Sequence, residues 1–210
     1  QLPEAEKVIR ARAAECEAPL HFVTESYDKS PIALRGEHQK LNAATAIAAI
    51  RAAKIDIDEA AIAGGLATVE WPGRFQCWDK RTVIDGAHNP AAARILADTW
   101  REIFGDQRAT MILAILSDKD LRKICEALAP ISDFVLLPKI RTERATDPVE
   151  LQKIFVDLGC KSETSPSFAD ALGKAQQRSE PILITGSLHF AGEALAHVQG
   201  EPAAFEECAQ

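Results

Sequence analysis

Residues 82–104 read TVIDGAHNPAAARILADTWREIF, and this stretch decides the fold. Thr82-Val83-Ile84 is a short β-branched run, the composition of a strand. Asp85-Gly86-Ala87-His88 then breaks the pattern. Asn89-Pro90 is a helix start: Asn supplies a cap, and Pro at the first helical position has its φ already set. The spacing predicts a helix over 90–104.

The same rhythm continues outward from this unit. Thr110 to Leu116 is a continuous apolar run, as in a parallel strand buried on both faces. A helix is predicted over 120–129 and a strand over 134–137. Asp147-Pro148 repeats the cap-plus-Pro signal for a helix over 148–158. A strand over 160–164, a helix over 168–178, a strand over 181–185 and a helix over 190–198 complete the series. Phe75 to Trp78 and Thr82 to Ile84 flank Asp79-Lys80-Arg81 as a hairpin. Short strands alternating with helices imply right-handed βαβ units and an α/β fold, a mostly parallel sheet with helices on both faces.

Upstream the pattern is thinner. Trp71-Pro72-Gly73-Arg74 interrupts it as a domain junction would. A helix is predicted over 3–17, strand-like runs at 20–24 and 32–34, and a strong helix over 38–53 with Leu41, Ala44, Ile47, Ala48 and Ile50 at helical period. Asp58 caps a further short helix that Gly64-Gly65 is expected to end. Seventy residues of this kind make a marginal core alone, of the order expected for ~60-residue domains. The expected organisation is therefore 1–70 as the end of a preceding domain, 71–74 as a hinge, 75–199 as a complete doubly wound domain, and 200–210 as a tail.

Composition limits the function. The chain has 210 residues, 24 basic and 31 acidic, for a net charge of −7. That balance opposes nucleic-acid binding, which wants a basic face, and a polybasic membrane anchor. No run approaches the ~18 apolar residues of a transmembrane helix. The five cysteines are scattered, with no C-x-x-C. They read as reduced, mostly buried thiols of a cytoplasmic protein.

Ligands of open α/β sheets bind beyond the carboxyl ends of the strands. The residues there are Asp85 to Pro90, Ser117 to Asp120, Arg141 to Asp147, and Gly186 to His189. Asp85 can accept a hydrogen bond from a ribose hydroxyl, and the helix opening at Pro90 offers N–H groups to an anion. His88 can donate to a phosphate or carboxylate. The alternative is that Asp85 and Asn89 only cap the turn. Arg74 places a bidentate phosphate donor at the junction, or is simply a surface Arg. His38 and Asn42, four apart, share a helix face. Asn42 has the donor–acceptor pair that suits adenine, and equally suits a helix start. The sequence holds no G-x-x-x-x-G-K-[ST], no G-x-G-x-x-G, no nucleophile elbow and no His pair at metal-ligand spacing.

The words Leu34-Arg35-Gly36-Glu37-His38-Gln39-Lys40-Leu41-Asn42, Trp71-Pro72-Gly73-Arg74, Asp85-Gly86-Ala87-His88-Asn89-Pro90, Asp118-Lys119-Asp120, and Gly186-Ser187-Leu188 with Gly192-Glu193, in this order, closely resemble the folylpolyglutamate synthase/dihydrofolate synthase family of the Mur ligases. The resemblance implies a Rossmann-like C-terminal Mur-ligase domain preceded by the tail of the central ATPase domain. It implies an ATP-dependent amide ligase of folate biosynthesis that phosphorylates a dihydropteroate or folylpolyglutamate carboxylate and joins L-glutamate to it. ATP and Mg2+ are the implied cofactors. Asn42, Arg74 and Asp85 would contact ATP, His88 would stand beside them as the catalytic residue, and Ser187 would meet the incoming glutamate. The family's phosphate loop, magnesium ligands and carbamylated lysine have no counterpart in the chain. Gln1 is therefore expected to be internal to a longer enzyme, the chain alone to be inactive, and the intact protein to be a monomer. His189-Phe190 departs from the family's usual Tyr-aliphatic pair. The alternatives are another Mur-type ligase acting on a cell-wall precursor, which would carry Asp-Tyr-Ala-His where this chain has Asp85-Gly86-Ala87-His88, or a noncatalytic nucleotide-binding or regulatory module.

Overall fold

The computed structural model describes residues 3–201. Its contacts divide the chain into two units: residues 3–33 and 37–69, and residues 34–36 and 70–201.

The first unit is helical: α1 (Pro3–Glu15), α2 (His38–Ala52) and α3 (Glu59–Thr68). Asp58 caps α3 by accepting from the Ala61 N–H. Two expectations fail here. Gly64-Gly65 does not end α3, because the helix runs on to Thr68, whose hydroxyl donates to the Gly64 carbonyl at 2.9 Å. The apolar runs at 20–24 and 32–34 are not strands. Strand propensity forms a strand only with a partner to pair with, and the Ala33 N–H bonds instead to the Leu66 carbonyl. The buried core of the unit is small: Tyr27, Ala43, Ile47 and Ile62.

The second unit carries a six-stranded sheet among the described residues, ordered β1-β2-β6-β3-β4-β5. The strands are β1 (Gln76–Cys77), β2 (Thr82–Ile84), β3 (Ala109–Leu113), β4 (Ser132–Pro138), β5 (Lys161–Ser165) and β6 (Ile182–Thr185). Only β1 runs antiparallel, as the outer arm of the predicted hairpin. All other neighbours are parallel. The linking helices are α4 (Pro90–Phe104), α5 (Leu121–Leu128), α6 (Pro148–Asp157), α7 (Phe168–Gln176) and α8 (Leu188–Val198).

Side-chain alternation along the strands builds two cores. Val83, Met111, Leu113, Val135, Leu137 and Leu183 face one layer with α4, α5 and α6. Ile84, Ile112, Leu136, Ile182 and Ile184 face the other with α7 and α8. Trp100 of α4 is wholly buried, stacks on Phe104 at 4.2 Å, and donates its indole N–H to the Gln107 carbonyl at 2.7 Å. Helices thus cover both faces of the sheet, as expected for an α/β fold. The cysteines correct one expectation: Cys125 is buried, but Cys16 and Cys77 are exposed and Cys160 is half-buried. Burial pushes the Cys125 thiol up to about 12. Cys208 and most of the tail lie outside the described residues. No helix among the described residues is long and apolar enough to cross a membrane.

Candidate functional site

Strands β2, β6 and β3 end side by side. Ile84 pairs with Ile184, and Leu113 with Thr185. The turns that follow them therefore meet at one edge, where the Asp85 N–H bonds to the Ile184 carbonyl at 2.9 Å. The order reverses here, since β2 leads by α4 to β3 while β6 returns between them. Such a switch point leaves a crevice at the carboxyl ends of the strands.

Asp85 organises the corner. One carboxylate oxygen accepts the Phe75 N–H at 2.8 Å and the other the Ala87 N–H at 2.8 Å. The Gly86 N–H bonds to the Gly73 carbonyl at 2.8 Å. The turn over 71–75 is thereby tied to the turn over 85–88. Gly73 stands at φ +70° and Phe75 at φ +42°. A buried aromatic residue in the left-handed region is a strained position that its surroundings must enforce, and the Asp85 bond does so. Arg74 is exposed between these two residues. The structure thus brings Arg74, Asp85 and His88 to one corner of the second unit.

His88 is half-buried. Its Nδ1 lies 2.8 Å from the Gly86 carbonyl. A carbonyl oxygen only accepts, so Nδ1 carries the proton. Nε2 is then the ring nitrogen not engaged in that bond. Asn89 caps α4 by accepting from the Ala92 N–H.

Ser187 lies one strand away. It is 2% exposed and caps α8, its hydroxyl accepting from the Phe190 N–H at 2.9 Å. Gly186 before it has φ +118°, and a Cβ there would run into the Ala114 carbonyl oxygen. A Cβ on Gly86 would meet the end of the Leu188 side chain. Leu188 therefore closes over the Gly86 backbone while remaining 52% exposed. The sequence named Leu188 only within a motif; its contact with Gly86 bridges two strands and has no local signal.

The neighbouring loops join the same edge. Leu116 bridges Ala145, and the Ser117 N–H bonds to the Arg144 carbonyl at 2.8 Å. Asp118 lies 2.8 Å from Lys119 and 3.3 Å from Arg144. The hydrogen bond from Lys119, with Arg144 beyond it, holds Asp118 below the usual carboxylate range. Asp120 caps α5. Burial lowers the His189 imidazole, and Arg144 adds to the effect. Burial raises the Glu193 carboxyl, against the opposing pull of Arg141. The sequence named Glu193 only within a motif, and its burial has no local signal.

Asn42 belongs to the first unit. It is exposed on α2 and donates to the Gln39 side chain at 3.0 Å, and Gln39 in turn meets His38 at 3.0 Å. Among the described residues no three His, Cys, Asp or Glu gather as metal ligands. The magnesium implied by the resemblance thus finds no ligand set among them.

Comparison with known proteins agrees with this geometry. The family model for the Mur ligase glutamate ligase domain matches residues 73–188. A probable bifunctional folylpolyglutamate synthase/dihydropteroate synthase of Haloferax volcanii is 35% identical over 169 residues, covering 78% of this chain and 20% of that protein. The dihydrofolate synthase/folylpolyglutamate synthase of Bacillus subtilis is 28% identical over 218 residues, covering 90% of this chain and 51% of that protein. The structure of Mycobacterium tuberculosis folylpolyglutamate synthase complexed with ADP and AMPPCP superposes with a TM-score of 0.82 at 27% identity, covering 95% of this chain and 54% of that chain. The chain spans about half or less of the length of these relatives. It belongs to the Mur ligases, with their glutamate ligase domain over 73–188, and it is similar within them to folylpolyglutamate and dihydrofolate synthases.

Proposed function

We propose that the chain is the glutamate-joining module of a cytoplasmic, monomeric ATP-dependent ligase that adds L-glutamate to dihydropteroate, to a folylpolyglutamate, or to both. The observation that carries this reading is the shared edge of β2 and β6. It sets Arg74, Asp85 and His88 beside the Ser187 cap, where a nucleotide and an amino acid can lie in adjacent turns.

In this reading residues 1–70 complete a central ATPase domain and residues 71–74 are the hinge. ATP transfers its γ-phosphoryl group to the acceptor carboxylate and leaves as ADP. The glutamate amine attacks the acyl carbon, phosphate leaves, and the amine gives up its proton. Asp85 is an acceptor at the end of β2, the place and chemistry that suit a ribose hydroxyl. Arg74 offers its guanidinium fork to phosphate. Asn42, in the first unit, carries a donor–acceptor pair of the kind that suits adenine. His88, with Nδ1 committed to the Gly86 carbonyl, presents Nε2 to the phosphate or to the amine proton. The buried Ser187 hydroxyl and the cations Lys119, Arg141 and Arg144 suit the carboxylates of glutamate. Magnesium, held by residues outside this set, would supply charge on the transferring phosphoryl group.

The Gly86–Leu188 contact favours the folate branch over the cell-wall branch. A Tyr at position 86 would have to displace Leu188. A substrate panel tests the reading on a preparation holding this chain and an ATPase half. Glutamate should be joined to dihydropteroate or a folylpolyglutamate, and UDP-linked acids should be ignored. Amino-acid transfer to UDP-linked acids would overturn it.

A further inference from the structure

Arg74 stands between two residues in the left-handed region, Gly73 at φ +70° and Phe75 at φ +42°. Only glycine adopts that region at no steric cost, so this turn keeps its shape through what bonds to it. The Arg74 N–H closes the turn on the Trp71 carbonyl at 3.2 Å. On the far side the Gly73 carbonyl accepts the Gly86 N–H at 2.8 Å, and the Phe75 N–H goes to Asp85 at 2.8 Å. One more bond comes from the chain's own continuation: the Gly73 N–H donates to the Gln76 side-chain oxygen at 3.0 Å. Gln76 is the half-buried first residue of β1 and pairs with Ile84 of β2. Phe75 beside it is buried against Trp100, ring centroids 6.4 Å apart.

The backbone on both sides of Arg74 is thus anchored while its side chain stays exposed. Asp85 fixes the residue after Arg74. The Gln76 amide, held by the sheet, reaches back three residues and fixes the residue before it. A guanidinium on a long flexible stem serves a phosphate best from a fixed backbone, because ordering it at the moment of binding costs free energy and misplacement costs rate. We propose that Gln76 is a positioning residue of the nucleotide site: by accepting the Gly73 N–H it holds the turn from which Arg74 reaches the phosphates of ATP. Gln76 touches no substrate in this role and acts through Arg74. The inference rests on the ligase reading above, which puts phosphate at Arg74.

The test has two arms. The first uses the 210-residue chain. Gln76→Met keeps the length of the side chain and loses the oxygen; Gln76→Asn keeps the amide and stops one methylene short. In each, the Gly73 amide should exchange with solvent about tenfold faster, the scale of one lost hydrogen bond. Gln76→Glu keeps an acceptor at the same reach and should leave that exchange at the parent rate. Circular dichroism checks that each variant folds. The second arm adds an ATPase half and measures glutamate ligation. KM for ATP should rise about tenfold in Gln76→Met and in Gln76→Asn, the loss expected of a displaced binding group. KM for glutamate should hold, and Gln76→Glu should restore the parent KM for ATP. On an Arg74→Met background, Gln76→Met should raise KM for ATP no further, because its effect passes through Arg74. An unchanged Gly73 amide, an unmoved KM for ATP, or effects of the two substitutions that multiply would overturn the proposal. A parent preparation that joins no glutamate, with the Gly73 amide released by Gln76→Met, would overturn the ligase reading and leave the anchoring of Arg74 standing. Ligation by the parent, with the Gly73 amide indifferent to Gln76→Met, would do the reverse.

Discussion

Asp85 is the residue on which the corner turns. Both of its oxygens already serve backbone N–H groups of two different turns, and one of those groups belongs to a residue at φ +42°. Asp85→Asn replaces one acceptor with an amide NH2 that must face a backbone donor. A buried donor left without its acceptor costs about 1–3 kcal/mol, so urea unfolding of the variant should shift by that amount. The two glycines of the site differ in kind. At Gly186 a methyl group meets backbone at a left-handed φ, and overpacking and strain together cost about 2–5 kcal/mol. At Gly86 it meets the flexible end of Leu188, and about 1 kcal/mol is expected. Parallel unfolding curves of Gly186→Ala and Gly86→Ala check the order, and equal losses would contradict it.

Glu193 makes the stability of the second unit depend on pH. Burial raises its carboxyl in the folded state, so the folded protein binds more protons than the unfolded chain in the window between the ordinary and the raised value. Stability therefore falls as pH rises through that window, and the cost stands in full above it. Glu193→Gln removes the charge. The variant should gain stability relative to the parent at pH 7, and the gain should vanish on acidification below the ordinary carboxylate range. Denaturation midpoints at both pH values check this.

At the scale of elements, caps were the most legible signal. Asn89-Pro90 and Asp147-Pro148 mark the starts of α4 and α6, and both side chains accept the expected N–H. These signals are local, and the helices behind them bury amphipathic faces on a sheet. Gly64-Gly65 misled because its helix needs no terminator there; Thr68 back-bonds to Gly64 and the chain leaves at Val69. The runs at 20–24 and 32–34 misled because apolar content without a pairing edge does not make a strand. The candidate site was legible in the turns after β2 and β6, which topology brings together. The pairing of Leu116 with Ala145 and the closure of Leu188 over Gly86 were not, because each joins segments far apart in sequence.

At the scale of the whole molecule, two units of unequal character share one chain. The second has two complete cores, one on each face of its sheet. The first has five buried residues, Tyr27, Gln39, Ala43, Ile47 and Ile62, and a helix, α1, that buries none of its residues. The sequence holds no phosphate loop, so the chain by itself is expected to form no ADP from ATP. In the proposed reading the corner at Asp85 and His88, beside Ser187, joins glutamate once an ATPase half is present. The most direct test measures glutamate joined to dihydropteroate, together with ADP and phosphate released, in a preparation holding both halves. One ADP and one phosphate per glutamate joined are expected, with His88→Ala slowing the reaction about 100-fold, the scale of a positioned proton-transfer group, while the fold is kept. Joining at an undiminished rate by His88→Ala would contradict it.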